Sequence, residues 1–73
     1  MNFISGDNKV NTSIRCKSSV EFVEIEKIFL QRYPEYKEQE LYYLVNGNKI
    51  IRFKTIDENK IKNNDNILVF TYE

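Results

Sequence analysis

The residues best suited to chemistry in this sequence are one cysteine, Cys16, and three glutamates within six positions, Glu21, Glu24 and Glu26. No histidine is present, so the sequence offers neither the usual base for a cysteine nucleophile nor enough soft ligands for a zinc site. The glutamates have no carboxylate at a fixed spacing on a facing element, and no glycine-rich loop accompanies them. We therefore expect no catalysis, no metal and no cofactor. Cys16 is predicted to be a small core residue, and the glutamates are predicted to form a solvated helix face.

Length and charge narrow the range of functions further. The 73 residues form one small domain, residues 1–73, with room for a thin core but not for a buried catalytic cavity. The chain has 11 basic and 11 acidic residues and no run of five like charges, which disfavours binding to nucleic acid. No apolar stretch reaches membrane length and no targeting segment is evident. We expect a monomeric protein of the cytoplasm or nucleus with no membrane partner.

Two short apolar segments near the start, 1–4 and 12–16, flank a stretch rich in turn-forming residues. This pattern predicts a β-hairpin with a loop. Alternation along the two strands places one set of side chains on the core side: Met1, Phe3, Ile14 and Cys16.

The next segment changes to a helical period. Its apolar residues recur at spacings of 3, 4 and 4, which puts four of them in one stripe of an α-helix: Phe22, Ile25, Phe29 and Tyr33. The helix is predicted over about residues 20–33. Ser18 or Ser19 is expected to cap its start, and Pro34 is expected to end it.

A second hairpin is predicted after a polar connection. The pair Asn46–Gly47 lies between apolar segments, and both residues accept the positive φ angles that a type I′ turn requires. Strands are therefore predicted at about 41–45 and 48–51.

The remaining segment begins with Thr55 and Glu58, which have the spacing of a capping box. In this motif each side chain accepts a hydrogen bond from the other residue's backbone amide. A single helical turn is predicted at 56–60, a polar turn at 63–66 and a last strand at 67–72.

The predicted order is strand, strand, helix, strand, short strand, helical turn and strand. Only one helix is long enough to cover a sheet, so we predict an α+β fold. Specifically, we predict a β-grasp roll, in which a mixed sheet of four to five strands wraps around one amphipathic helix. Its core is predicted to contain Met1, Phe3, Ile14, Phe22, Ile25, Phe29, Tyr43, Val45, Ile50, Ile56, Ile61, Ile67 and Val69.

From residue 41 onward the sequence resembles the second half of ubiquitin and its relatives. The spacing from Gly47 to a series of apolar positions matches the family without a gap: Ile56, Ile61, Ile67 and Val69. The helix stripe also has the family's spacing, and the resemblance covers essentially the whole chain. It implies a ubiquitin-like domain whose sheet face docks partner proteins, such as ubiquitin-binding domains.

An outward apolar face follows from strand alternation. If Ile67 and Val69 point toward the helix, alternate side chains on two neighbouring strands point away from it: Tyr42, Leu44, Leu68, Phe70 and Tyr72. The resemblance places Leu44, Leu68 and Phe70 at the positions that carry the family's partner-binding patch. An ordinary exposed sheet surface is the alternative, because natural proteins tolerate apolar residues there.

The same patch is predicted to include Tyr42 and to be bordered by three basic residues that alternate along one stretch, Lys49, Arg52 and Lys54. A charged rim that steers an acidic partner is one interpretation of these residues. A solvated strand edge that resists aggregation explains them equally well.

The favoured hypothesis is therefore a non-catalytic ubiquitin-like interaction domain. The alternative is a ubiquitin-like modifier, or a unit released from a precursor, whose Gly-Gly tail or flanking processing sequence follows residue 73. Since Thr71, Tyr72 and Glu73 carry no such tail, we expect this chain not to be conjugated, and sequence beyond residue 73 would separate the two hypotheses. An enzyme is least favoured: a β-grasp ferredoxin needs four cysteines, and this chain has one.

Overall fold

One α-helix and five β-strands make up the regular structure that the computed structural model describes for residues 1–6 and 9–72. In chain order the elements are β1 (Asn2–Ser5), β2 (Asn11–Ser13), α1 (Phe22–Arg32), β3 (Leu41–Val45), β4 (Asn48–Lys49) and β5 (Asn66–Thr71), with a 3₁₀ helix at Pro34–Tyr36. Part of the predicted first loop, Asp7 and Asn8, and the terminal Glu73 lie outside the described residues.

The strands form one mixed sheet in the order β2-β1-β5-β3-β4. The central pair, β1 and β5, is parallel, and the other neighbours are antiparallel. α1 packs its buried residues Phe22, Ile25 and Phe29 against one face of this sheet. The predicted α+β class, with a mixed sheet and one amphipathic helix, is confirmed.

The core lies between α1 and the inward face of the sheet. All thirteen predicted core residues are buried, and Phe3 stacks on Phe29 with 5.0 Å between ring centroids. The prediction omitted Leu41 and Val10, which are also buried. Leu41 follows the inward alternation of β3. Val10 is held beside β1 by two hydrogen bonds with Ser5. The Ser5 amide donates to the Val10 carbonyl at 3.2 Å, and the Val10 amide donates to the Ser5 hydroxyl oxygen at 3.1 Å.

The helix begins later than predicted and without a serine cap. Its N-cap is Glu21, whose side chain makes no capping hydrogen bond, so the predicted cap at Ser18 or Ser19 is wrong. The amides of Phe22 and Val23 donate instead to two carbonyls of a distant loop, at 3.0 and 2.9 Å. Those carbonyls replace the side-chain oxygen that an N-cap normally supplies. The helix ends before Pro34, as predicted.

The second hairpin has the predicted turn. Asn46 and Gly47 have positive φ angles of 51° and 81°, as a type I′ turn requires. β3 has the predicted bounds. β4 is shorter than predicted because the amide of Ile51 donates to the side-chain oxygen of Asn59, at 2.8 Å, instead of to a neighbouring strand. The side chains on the two faces of β3 alternate between buried and half-buried.

The ends of three other strands also differ from the prediction. β1 covers Asn2–Ser5 rather than 1–4. β2 covers Asn11–Ser13 rather than 12–16, and β5 covers Asn66–Thr71 rather than 67–72. β2 stops early because it pairs only with the short strand β1.

The predicted capping box is confirmed. The amide of Thr55 donates to Glu58 Oε1 at 2.9 Å, and the amide of Glu58 donates to Thr55 Oγ1 at 3.0 Å. Residues 56–60 form consecutive turns rather than the predicted helical turn. The backbone reverses at Lys60, whose φ angle is +58°, so no second helical turn can follow.

Candidate functional site

The sheet surface that faces away from α1, here called the outward face, carries a continuous row of aliphatic side chains. Leu44 on β3 and Ile4 on β1 are both register partners of Leu68 on the strand between them, β5. All three side chains are at least partly exposed, and Leu68 is 41% exposed. The row therefore crosses three adjacent strands and presents apolar surface to solvent.

Three aromatic rings extend this row along β3 and β5. Tyr42 and Phe70 are register partners and stack with 5.2 Å between ring centroids. The ring of Tyr72 lies 4.7 Å from that of Tyr42. These three residues are named the aromatic cluster, and they make the apolar surface wider than the aliphatic row alone.

Lys49 lies at one side of the aromatic cluster. Its ammonium nitrogen is 5.5 Å from the ring centroid of Tyr42 and 5.2 Å from that of Tyr72, within the range of cation–π attraction. It also donates a hydrogen bond to the Tyr72 hydroxyl. The outward face thus has an apolar centre and a positive charge fixed at its edge.

Local sequence explains this arrangement. Period-two alternation puts Tyr42 and Leu44 on one side of β3 while Leu41, Tyr43 and Val45 are buried on the other. The two-residue Asn46–Gly47 turn then fixes the hairpin register so that Lys49 faces Leu44. The structure therefore brings together five of the six predicted site residues: Tyr42, Leu44, Lys49, Leu68 and Phe70.

Arg52, the sixth predicted site residue, belongs to a different environment. Its guanidinium Nε lies 3.0 Å from both carboxylate oxygens of Glu26 on α1, and its Nη2 donates to the Leu41 carbonyl at 2.7 Å. Tyr43 donates its hydroxyl hydrogen bond to the same Glu26 carboxylate at 2.6 Å. Burial, reinforced by the hydrogen bond and charge of Glu26, raises the pKa of the Tyr43 hydroxyl. Arg52 joins the loop after β4 to the helix and the sheet, and it lies apart from the aromatic cluster.

Lys54, the last residue of the predicted charged rim, is exposed. Its backbone is fixed, since its carbonyl accepts the amide of Phe22 at 3.0 Å and its amide donates to the Ile51 carbonyl at 3.3 Å. Of the three predicted rim residues, Lys49 is thus the one whose cation lies over the rings of the aromatic cluster, whereas Arg52 lies 5.7 Å from the ring centroid of Tyr43.

Cys16 is half-buried and packs against the core, rather than forming part of it as predicted. β2 ends at Ser13, so strand alternation does not continue to position 16. Burial raises the pKa of the Cys16 thiol, and the charge of the amino terminus offsets part of this effect. A thiol with a raised pKa is a weaker nucleophile near neutral pH because less of it is thiolate.

The three helix glutamates differ from one another. Glu21 and Glu24 are exposed, and Glu24 pairs with Lys27 at 3.3 Å. Glu26 is partly buried and serves the Arg52 and Tyr43 contacts described above. The predicted solvated face therefore holds for the first two, whereas Glu26 has a structural role.

Sequence reasoning missed two exposed apolar residues, Ile51 and Phe53. Ile51 is the last residue of the predicted strand at 48–51, and no predicted element includes Phe53. No local pattern indicates their exposure, because it depends on a turn that the distant residue Asn59 closes. Ile4 was also left out of the predicted patch, although its alternation with Phe3 put it on the opposite side from the core.

No protein-family model and no curated protein matches this chain. Within residues 1–6 and 9–72, no helix combines the length and the apolar character needed to cross a membrane. Over the same ranges, no group of three or more Cys, Asp or Glu side chains is placed to hold a metal ion.

Proposed function

We propose that this chain is a non-catalytic, ubiquitin-like interaction domain that docks partner proteins through its outward face. Leu44, Leu68 and Phe70 form the centre of the binding surface, with Tyr42 beside them and Lys49 at the edge. The observation that carries this proposal is the continuous apolar surface that Ile4, Leu68 and Leu44 form across three strands.

The arrangement of the elements supports the proposed class. A five-stranded order of β2-β1-β5-β3-β4, with a parallel central pair and one helix on a single face, is consistent with a β-grasp roll and supports this proposal. The positions that resemble the ubiquitin family in spacing, Ile56, Ile61, Ile67 and Val69, are all buried. The same alternation that buries Ile67 and Val69 turns Leu68 and Phe70 outward.

The energetics of burial are adequate for a specific contact. Fully burying a Leu or Phe side chain contributes roughly 1.5–3 kcal/mol before the cost of association is subtracted. Three such residues in one patch therefore support binding in the micromolar range, which corresponds to about 8 kcal/mol, when contacts around the patch are added.

The positive charge of Lys49, at the edge of the outward face, indicates which charge a partner surface should carry there. The Lys49 ammonium group lies over two tyrosine rings, and no carboxylate within residues 1–6 and 9–72 forms an ion pair with it. An apolar partner surface with a carboxylate at its border is complementary to this arrangement. The carboxylate would act mainly on the association rate and on its dependence on salt.

A titration against a panel of purified ubiquitin-binding domains, followed by backbone amide shifts, tests the proposal. We expect the largest shifts at residues of β3 and β5, centred on Leu44, Leu68 and Phe70. The double variant Leu44→Ala, Phe70→Ala should lose at least tenfold in affinity. Ile28→Ala removes an exposed apolar side chain from α1 and is the matched control, so it should bind as the parent does.

Two results would contradict the proposal. One is a set of shifts confined to α1 and the first loop. The other is a double variant that is folded and binds every panel member as tightly as the parent. Either result would favour the alternative that the outward face is an ordinary exposed sheet surface.

A further inference from the structure

The most exposed large apolar side chains of the described residues lie in the loop after β4, away from the outward face. Phe53 is 75% exposed and Ile51 is 51% exposed, compared with 41% for Leu68. Arg52, between them, turns back to the Glu26 carboxylate. Phenylalanine is usually buried in a folded domain, so two large apolar side chains projecting from one short loop are unusual.

This loop is a closed turn, here named the 51–54 turn. The amide of Lys54 donates to the Ile51 carbonyl at 3.3 Å, which closes it. The side chain of Asn59 accepts from the Ile51 amide at 2.8 Å and donates to the Ile51 carbonyl at 2.9 Å. Both backbone groups of Ile51 are therefore occupied by a single amide side chain.

The helix holds the turn from the other side. The amides of Val23 and Phe22 donate to the carbonyls of Arg52 and Lys54, at 2.9 and 3.0 Å. A turn fixed by this many hydrogen bonds loses little conformational entropy when a partner binds it. Phe53 is thus presented on a rigid support.

We propose that the 51–54 turn is a second docking site, for a folded protein with an apolar pocket bordered by carboxylates. Phe53 enters the pocket, Ile51 packs against its wall, and the exposed ammonium group of Lys54 meets the carboxylates. Because the turn is convex, the concave surface must belong to the partner. An aromatic anchor filling a partner's pocket is a common form of binding hot spot. This site does not rest on the proposed function of the outward face.

A lipid surface is the other chemistry that would accept Phe53 and Lys54. Two exposed carboxylates, Asp57 and Glu58, lie three and four positions after the end of the turn, and an anionic lipid surface would repel them. The chain as a whole has a formal net charge of zero. Two apolar side chains without a surplus of positive charge make a weak membrane anchor. The local charges therefore favour a protein pocket, which can place its carboxylates beside Lys54 alone.

Carboxymethyl-β-cyclodextrin reproduces the proposed pocket chemistry, since it is an apolar cavity with carboxylates at its rim. In a titration followed by amide shifts, we expect the largest shifts within residues 51–54 and several-fold tighter binding than to uncharged β-cyclodextrin. Phe53→Ala should weaken binding at least tenfold, and Lys54→Ala should remove the preference for the charged form. Leu68→Ala, the control on the outward face, should bind as the parent does. Shifts centred on the aromatic cluster, or no preference for the charged form, would overturn the proposal.

The partner itself can be captured by placing the photoreactive residue p-benzoylphenylalanine at position 53 in the source cells. The captured protein, once purified, should bind the unmodified chain and lose at least tenfold in affinity with Phe53→Ala. The double variant Leu44→Ala, Phe70→Ala should bind it unchanged, which separates this site from the outward face. Equal binding by Phe53→Ala would overturn the proposal. So would cosedimentation of the parent, but not of Phe53→Ala, with phosphatidylserine vesicles.

Discussion

Glu26 connects three parts of the molecule through one carboxylate. It accepts hydrogen bonds from Arg52 after β4 and from Tyr43 on β3, while it is itself part of α1. Its side chain is 12% exposed, compared with 41% for Arg52. A carboxylate in this position has little access to water, so its partners cannot easily be replaced by solvent.

Replacing Glu26 with Ala is expected to destabilise the fold by about 1–3 kcal/mol, because it leaves the Tyr43 hydroxyl and the Arg52 guanidinium without their acceptor. Urea denaturation measures the change. Glu24→Ala removes an exposed pair with Lys27 on the same helix and is the matched control, with an expected loss of about 0.5 kcal/mol or less. Equal losses for the two variants would show that the Glu26 contacts contribute no more than a surface ion pair.

The Glu58 carboxylate is expected to make stability depend on pH in the acid range. The hydrogen bond from the backbone amide of Thr55, followed by that from its side chain, lowers the pKa of Glu58. A carboxyl with a lower pKa in the folded state contributes stability above its unfolded pKa. That contribution is lost as the pH falls through the folded pKa.

Glu58→Gln should therefore be less stable than the parent at about pH 7, and the difference should shrink as the pH falls through the lowered folded-state pKa of Glu58. The measurement is the free energy of unfolding in urea across a series of pH values from neutral into the acid range. Asp57→Asn, the exposed neighbour, serves as the control. A difference between Glu58→Gln and the parent that stays constant with pH would contradict the assigned role of the charge.

Sequence separation decided which residue contacts could be predicted. Thr55 and Glu58 are three positions apart and follow a known local motif, so their reciprocal hydrogen bonds were predicted. Asn59 contacts Ile51 eight positions away, and Glu26 contacts Arg52 across 26 positions. Such contacts follow from tertiary structure, and neither spacing nor residue type indicates them in advance.

α1 is stabilised by its buried stripe more than by its ends. Its N-cap provides no side-chain hydrogen bond, whereas Phe22, Ile25 and Phe29 are almost fully buried. A helix of 11 residues is too short to be stable alone in water. Packing against the sheet must therefore supply most of its stability.

Ile25→Ala or Phe29→Ala should each cost on the order of 2–5 kcal/mol, a large part of the stability that a domain of this size can have. Ile28→Ala, on the same helix but exposed, should change stability by less than about 1 kcal/mol. The denaturant midpoint measures both effects. A midpoint for either core variant equal to that of the parent would mean that the helix stripe does not hold the core together.

Periodicity predicted the existence and type of every long element, but the element ends depend on tertiary contacts. The stripe of α1 was evident because a wide apolar face repeats over three turns. Its start was misplaced because the carbonyls of Arg52 and Lys54 cap it from a loop about thirty residues away in the sequence. β4 was predicted too long for a related reason, since the side-chain oxygen of Asn59 accepts the hydrogen bond from the backbone amide of Ile51.

On the scale of the whole molecule, the outward face was predictable and the 51–54 turn was not. Alternation along β3 and β5 determines which side chains face away from the helix, so Leu44, Leu68 and Phe70 could be assigned from the sequence. The exposure of Phe53 depends on a turn closed by Asn59 and by the start of α1. Without those contacts, an apolar residue near a strand end is expected to be buried.

Side chains cover the backbone at the β2 edge of the sheet, and the β4 edge is short. On β2, the outward amide of Asn11 donates to the Tyr33 hydroxyl at 3.3 Å. The carbonyl of Ser13 accepts from Arg32 at 2.8 Å. On the opposite edge, β4 is only two residues long, and Asn59 occupies the backbone of Ile51 that follows. An exposed strand edge is a template for pairing with another chain, so these contacts favour a monomer that binds through its faces rather than by strand addition.

Opening the β2 edge should therefore promote self-association. The variant Arg32→Ala, Tyr33→Phe removes these two contacts and the hydrogen bond from Arg32 to the Thr12 hydroxyl at 2.7 Å. It keeps the ring of residue 33, which packs against Phe29 at 5.3 Å. We expect the parent to remain monomeric in light scattering after size-exclusion chromatography, and the variant to shift toward dimers and larger species as its concentration rises. Gln31→Ala, an exposed change on the same helix, should behave as the parent does. A folded double variant that stays monomeric over the same concentrations would show that side-chain cover of this edge is not what keeps the chains apart.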